Sequence, residues 1–214
     1  MRRLGVAGLV CAVAASFSVA AAQAGQGEGY FYKRGPKAIP DGHGAAKLRL
    51  QSVLPNDIDP TVDYVSLSVR VSHPQTHDLV VRLKRPNFMY MGSPQSGIPR
   101  VVTLSNRDTR GQDLGMGKCP ALNPMSAPGG FTTFNDFGGP PYPTVPSASP
   151  ALSTGTAPYA GTFAPVEPLG DFNGYHAAPS TDPASPETWT LTIKDVRNGH
   201  AGELRCAVLY LHRI

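Results

Sequence analysis

Charge is what this chain is shortest of. Only 16% of its 214 residues are charged, against about 25% in an ordinary globular chain, which excludes a charged disordered tail and a coiled coil. Helical periodicity is missing as well, and no helix of three turns is predicted anywhere. Beyond the first 24 residues no apolar run approaches the ~20 residues that a spanning helix needs. Cysteine is sparse, with three in all, yet the length suffices to bury a core without metal or many disulfides. Neither a G-x-S-x-G elbow nor an H-E-x-x-H pair occurs, which removes two common hydrolase signatures.

Turn residues are abundant instead. The 23 Gly and 22 Pro make up about a fifth of the chain, against ~12% in ordinary usage, so one compact domain with many turns is expected. Met1-Arg2-Arg3, the apolar run Leu4 to Ala15 and the small-x-small pattern Ala22-Gln23-Ala24 read as a secretory signal peptide over residues 1–24. Secretion or a periplasmic location follows, with no membrane span after cleavage. The net charge of +4 then falls to +2, because the segment carries two arginines and no acid. No run of Lys or Arg remains beyond Lys84-Arg85, and nucleic acid is not expected as a partner. Cleavage also removes Cys11, leaving Cys119 and Cys206. An even pair in an exported chain is most simply one disulfide. Metal ligation or a catalytic thiol are the alternatives, and neither has the His/Cys spacing it needs. The disulfide would close an 87-residue loop, for which chain entropy suggests about 4 kcal/mol.

Residues 25–38 are Gly-rich with the aromatic cluster Tyr30-Phe31-Tyr32 and read as a flexible leader. From residue 39 to 214, short period-2 segments alternate with turns, the pattern of an all-β sandwich or barrel. In Asp63 to Ser72, Val65, Leu67, Val69 and Val71 alternate with polar residues, so one face is core and the other wet. Asp78 to Arg85 alternates likewise and is expected to form a hairpin with it. Thr188 to Ile193 buries Trp189, Leu191 and Ile193 behind a threonine face, and Glu203 to His212 is the last strand. Shorter strands are expected at Lys47 to Leu54, Arg100 to Ser105, Gly130 to Asn135 and Tyr159 to Ala164. The stretches 138–158 and 176–186 are Pro-rich and read as extended surface loops.

The order of several short motifs is informative. Ile39-Pro40-Asp41 comes first, then the strand Val65 to Val71, His73 with Asp78-Leu79, and Arg85-Pro86-Asn87. Leu169-Gly170-Asp171-Phe172-Asn173-Gly174 follows, then Thr188 to Asp195 and Gly199-His200-Ala201-Gly202-Glu203-Leu204. This series resembles the P domain, or Homo B domain, that follows the catalytic domain of proprotein convertases and bacterial subtilisin-like serine proteases. The resemblance covers about residues 39–212. It implies a jelly-roll-like β-sandwich that is not catalytic and that stabilises or assists subtilisin-like serine endopeptidases. It further implies structural roles for Asp41, His73, Asn173, Gly174, Trp189, Asp195 and Gly202. Ala207 stands where the family usually carries Trp, and Cys206 beside it suggests a disulfide in place of some of that packing.

A subtilisin-type triad needs Ser in a Gly-Thr-Ser context, His in His-Gly-Thr and an upstream Asp. Gly155-Thr156 and Gly161-Thr162 lead instead into Ala157 and Phe163, so no enzyme activity is expected. His73 and His77 have zinc-like spacing, but Pro74 makes the segment a turn, and the resemblance gives His73 a turn-capping role. By the same resemblance Asp78 and Asp136 match positions of calcium-associated carboxylates, with an Asx-turn as the alternative for each. Calcium is therefore the cofactor to test. The partner expected is a subtilisin-like protease or another extracytoplasmic protein. The competing reading is a jelly-roll module that binds a glycan or surface protein through its long loops.

Overall fold

The computed structural model describes residues 28–52, 61–87, 89–90, 93–94, 97–120, 129–137, 148–176 and 187–213. The expected signal peptide lies outside them. Two sheets face each other across one apolar core. The first has the order β1-β11-β3-β8-β9, formed by β1 (Glu28–Ile39), β3 (Val62–Ser72), β8 (Thr132–Phe134), β9 (Gly161–Phe163) and β11 (Gly202–Arg213). The second has the order β2-β10-β4-β7, formed by β2 (Ala45–Ser52), β4 (Leu79–Lys84), β7 (Val101–Asn106) and β10 (Glu187–Asp195). A small ribbon pairs β5 (Met89–Tyr90) with β6 (Ser93–Pro94). Strands β1 to β4 alternate between the two sheets, so the chain winds around the core as in a jelly roll. The pairs are antiparallel except β8 with β9. Helical structure among the described residues is limited to short 3-10 turns, and no helix there is long and apolar enough to cross a membrane.

Alternation explains the core. Along β10, Glu187, Trp189, Leu191, Ile193 and Asp195 are buried, and the threonines between them are partly open. Trp189 is sealed and meets Phe172 and Tyr175 edge-on, with ring centroids 5.2 and 5.8 Å away, the arrangement aromatic quadrupoles favour. Tyr175 and Phe172 are delivered by the 3-10 turn Leu169–Phe172 and by Asn173-Gly174. Gly174 sits at φ +81° and its N–H donates to Val62 O at 2.7 Å, a left-handed turn that suits glycine.

Four expectations need correction. The expected hairpin does not form: β3 pairs with β11 and β8, while β4 pairs with β10 and β7. The connection carries the buried His73 and the 3-10 turn Thr76–Asp78, too long and too bulky for the two-residue turn that keeps strands side by side. Both strands still aim their apolar faces at one core, from opposite sheets.

From Glu28 the expected leader is instead β1, paired with β11 from Glu28↔His212 to Ile39↔Gly202. Adjacent aromatics point to opposite faces, Phe31 toward the main core and Tyr32 toward a smaller cluster with Phe131, Cys206 and Val208. The register shifts opposite Leu204 and Cys206, where Gly35 lies so close to the β11 backbone that a Cβ would stand 2.7 Å from Arg205 O. Third, the Pro-rich stretch is partly folded: Leu152 is buried in the 3-10 turn Leu152–Thr154, and Ala151 bridges Ala164. Residues 138–147 and 177–186 lie outside the described residues.

Fourth, the face of β3 expected to be wet is covered, with Ser66 and Arg70 buried. Arg70 lies 4.1 Å over the Phe131 ring and donates to the carbonyls of Lys118 and Gly129. Burial lowers its pKa, opposed by the nearby Tyr32. The Cys119–Cys206 disulfide, with Cα atoms 6.1 Å apart, lies on this outer face. Ala207 faces the main core, so the disulfide fastens the covering loop and does not fill the space beside Ala207.

Candidate functional site

One end of the sandwich collects most of the polar residues singled out by sequence. β3 ends at Ser72, β4 begins after Asp78, β10 ends at Asp195 and β11 begins at Gly202, so four strand ends meet there. His73 is 1% exposed and Asp195 fully buried. Imidazole Nε2 faces Asp195 Oδ2 at 3.3 Å, and Nδ1 lies 2.8 Å from Gln75 O and 3.2 Å from the Gln75 N–H. The ring thus closes its own turn and reaches across to the other sheet. Asp195 Oδ1 accepts from the Arg197 N–H at 2.9 Å. The His73 N–H donates to Asp113 Oδ1 at 2.7 Å. Gly202 packs against this imidazole, and a Cβ there would overlap His73 Cδ2 and come 2.8 Å from Ser72 O. Asp41 clamps the loop after β10 by accepting from the N–H groups of Gly199 and His200 at 2.8 and 3.2 Å.

Asp78, 2% exposed, lies beside this pair. Its Oδ1 is 3.1 Å from His77 Nε2 and 3.5 Å from Arg197 Nε, and its Oδ2 is 3.6 Å from His200 Nδ1. A carboxylate ringed by two imidazoles and a guanidinium does not fit calcium, which requires converging oxygens. Asp136 does not fit either. Its two oxygens accept from the N–H groups of Leu169 and Gly170 at 3.0 and 2.6 Å, so it caps the 3-10 turn that carries Phe172. Asp78 and Asp136 share no partner, and no group of three or more His, Cys, Asp or Glu suited to a metal occurs among the described residues. His73 and His77 point to different carboxylates, as expected of a turn.

Sequence reasoning missed the partners of Asp78, because His77, Arg197 and His200 each look like ordinary turn residues. It also missed a buried cluster at the opposite end of β10. Glu187 and Arg213 are 5% and 3% exposed, and Tyr175 is sealed. Burial lowers the Arg213 pKa to about 10, with the Glu187 carboxylate pulling it back upward. Burial raises the Tyr175 pKa, and the charge of Glu187 and a hydrogen bond to it raise it further. Arg85 lies 4.9 Å over the Tyr175 ring and donates to the carbonyls of Pro99, Pro86 and Ile98. Extending the β10 alternation one step each way would have found both ends, since Glu187 and Asp195 share the parity of Trp189.

Chemically, the first end is a set of interlocked contacts between carboxylates, imidazoles and one guanidinium. No hydrogen bond joins a hydroxyl or thiol to His73, His77 or His200 among the described residues, and the His73–Asp195 pair is closed to solvent. It holds strand ends together across the two sheets.

What the fold and site define is an all-β sandwich with polar-pinned ends and one disulfide. No family model matches the chain, and no curated protein matches it. Among solved structures it is similar to a chain in the crystal structure of the Aeromonas sobria serine protease (ASP) and chaperone (ORF2) complex, with 15% identity and a TM-score of 0.36. The match covers 86% of this chain and 26% of that one, so the chain spans about a quarter of its length. A likeness at that level assigns no residue a role.

Proposed function

We propose that this protein is an exported, non-catalytic module of the P-domain type that assists or stabilises a subtilisin-like serine endopeptidase outside the cytoplasm. The observation that supports the reading is spatial. Asp41, His73, Asp78, Asp195 and Gly202 come from motifs spread over more than 150 residues and meet at one end of one sandwich. The Leu169–Gly174 motif and Trp189 meet in the same core. Pinned strand ends suit a rigid accessory body, which transmits stability to whatever docks on it.

The test uses the chain without residues 1–24, immobilised and exposed to the extracytoplasmic fraction of its source. Retention of endopeptidase activity that a serine-protease inhibitor abolishes is the expected outcome. Absence of such activity, or inhibitor-sensitive cleavage by the pure chain alone, overturns the reading. Mass spectrometry of the exported product checks the export step, with an N-terminus at Gly25 expected.

A further inference from the structure

The outer faces of the two sheets differ. Among the described residues, that of the five-stranded sheet is covered over β3 by Lys118 to Pro120 and Gly129 to Phe131, while that of the four-stranded sheet presents exposed lysines and arginines and no exposed acid on β2, β4 or β10. Alternation does the sorting. Along β10 the two acids, Glu187 and Asp195, turn inward, and Thr188, Thr190, Thr192 and Lys194 turn outward. Along β2, Lys47 and Arg49 are exposed between buried Ala46, Leu48 and Leu50, and along β4, Arg82 and Lys84 flank buried Leu83. Register then sets them in rows. Thr190 stands between Arg49 and Lys84, and Thr192 between Lys47 and Arg82. Strand geometry places the cation columns roughly 10 Å apart, on either side of the threonine column, with rows about 7 Å apart. Lys33 and Lys37 of β1 extend the wall, and the resulting groove of about 640 Å³ has no acidic residue among the described residues that line it.

We propose that this groove binds an anionic polysaccharide, a single chain bearing carboxylate or sulfate groups. Cations in two columns match a chain whose charges recur along its length, and the hydroxyls of Thr190 and Thr192 between them match its sugar hydroxyls. No aromatic side chain lines the groove among the described residues, so single-stranded nucleic acid lacks there the stacking platform it uses elsewhere. Its one apolar lining residue, Leu48, is buried, so nothing is offered for insertion into a membrane. The surface is separate from the polar end described above, so the two proposals fail independently.

The experiment is an anisotropy titration of the full exported chain with fluorescent polygalacturonate and heparin oligosaccharides. Binding is expected at low salt, weakening by about a hundredfold between about 50 and about 200 mM salt, as counterion release by roughly four neutralised charges dictates. Lys47→Glu with Lys84→Glu should lower affinity at least about tenfold, while Arg110→Glu with Lys118→Glu, exposed but outside the groove, should leave it within about twofold. If the reversal pair does not fold, Lys47→Gln with Lys84→Gln takes its place, with a loss of about threefold or more. No binding to either oligosaccharide, equal affinity in groove and control variants, or tighter binding to duplex DNA or phosphatidylglycerol vesicles overturns the proposal.

Discussion

Strand β10 carries a carboxylate at each end of one buried stripe, and the two meet different partners. Asp195 faces the imidazole of His73, whereas Glu187 is buried with the guanidinium of Arg213 and the phenol of Tyr175. Both acids are at most 5% exposed, so the burial cost of the anion is similar. The partners differ in what they can give up. An imidazole can exchange its tautomer and turn a ring nitrogen from donor to acceptor, so its pocket tolerates loss of the opposing carboxylate. Even with its pKa lowered to about 10, a guanidinium stays charged at neutral pH and must keep its anion. The Glu187 end is therefore the brittle one and the Asp195 end the adaptable one.

The largest effect is expected where that brittleness is tested directly. Glu187→Gln leaves Arg213 charged and buried without its anion and should cost about 3–5 kcal/mol in urea unfolding. Arg213→Met removes a guanidinium whose charge offsets burial of the Glu187 carboxylate and should also destabilise, by about 1–3 kcal/mol. The double variant Glu187→Leu with Arg213→Met should recover most of the loss, since apolar groups can replace a buried ion pair. A double variant no more stable than the singles would mean that the pair contributes through shape and not through charge.

At the other end the costs are smaller and of another kind. Gly202→Ala forces a Cβ into His73 and the Ser72 carbonyl, and overpacking of this sort should cost about 2–3 kcal/mol. Asp195→Asn keeps an acceptor for the Arg197 N–H and offers an amide donor to His73 Nε2. The ring can then donate through Nδ1 to the Gln75 carbonyl, so the expected loss is only about 1–2 kcal/mol. A loss equal to that of Glu187→Gln would erase the distinction between the two ends.

How much of this was legible in sequence follows from which forces are local. The face of β10 was readable because Thr188 to Ile193 alternates without a break. The polar end was reached only through motif order, since nothing local in Asp41, His73 or Gly202 says that they meet. β1 was illegible because its glycines and Pro36 have poor strand propensity, and its order comes from β11. The hairpin expectation failed because alternation says which side of a strand is buried, not which sheet it joins. The basic face was hidden for a related reason. Its cations come singly from β1, β2 and β4, so a search for runs of Lys and Arg finds nothing, while pairing through the threonines of β10 gathers them.

The finest test separates the two ends by pH. Tyr175 has its pKa raised in the fold, chiefly by burial and then by Glu187, so the stability tied to its neutral phenol is fully present below pH 10, its ordinary pKa. It is lost as pH rises above that value, because the unfolded chain releases the proton and the folded one resists. Arg213, lowered to about 10 by burial, acts the opposite way. Its buried charge costs stability at neutral pH, and that cost fades as it loses its proton. A melt of the wild type alone mixes the two. Tyr175→Phe removes only the phenol, losing the hydrogen bond to Glu187 and about 1 kcal/mol at pH 7, and leaves Arg213 to act in both proteins. The gap in melting temperature between wild type and Tyr175→Phe should therefore be constant from pH 7 to pH 9, then narrow and close above pH 10. A gap that stays constant through pH 11 would mean that the phenol releases its proton in the fold as readily as in the unfolded chain, and would overturn its burial beside Glu187.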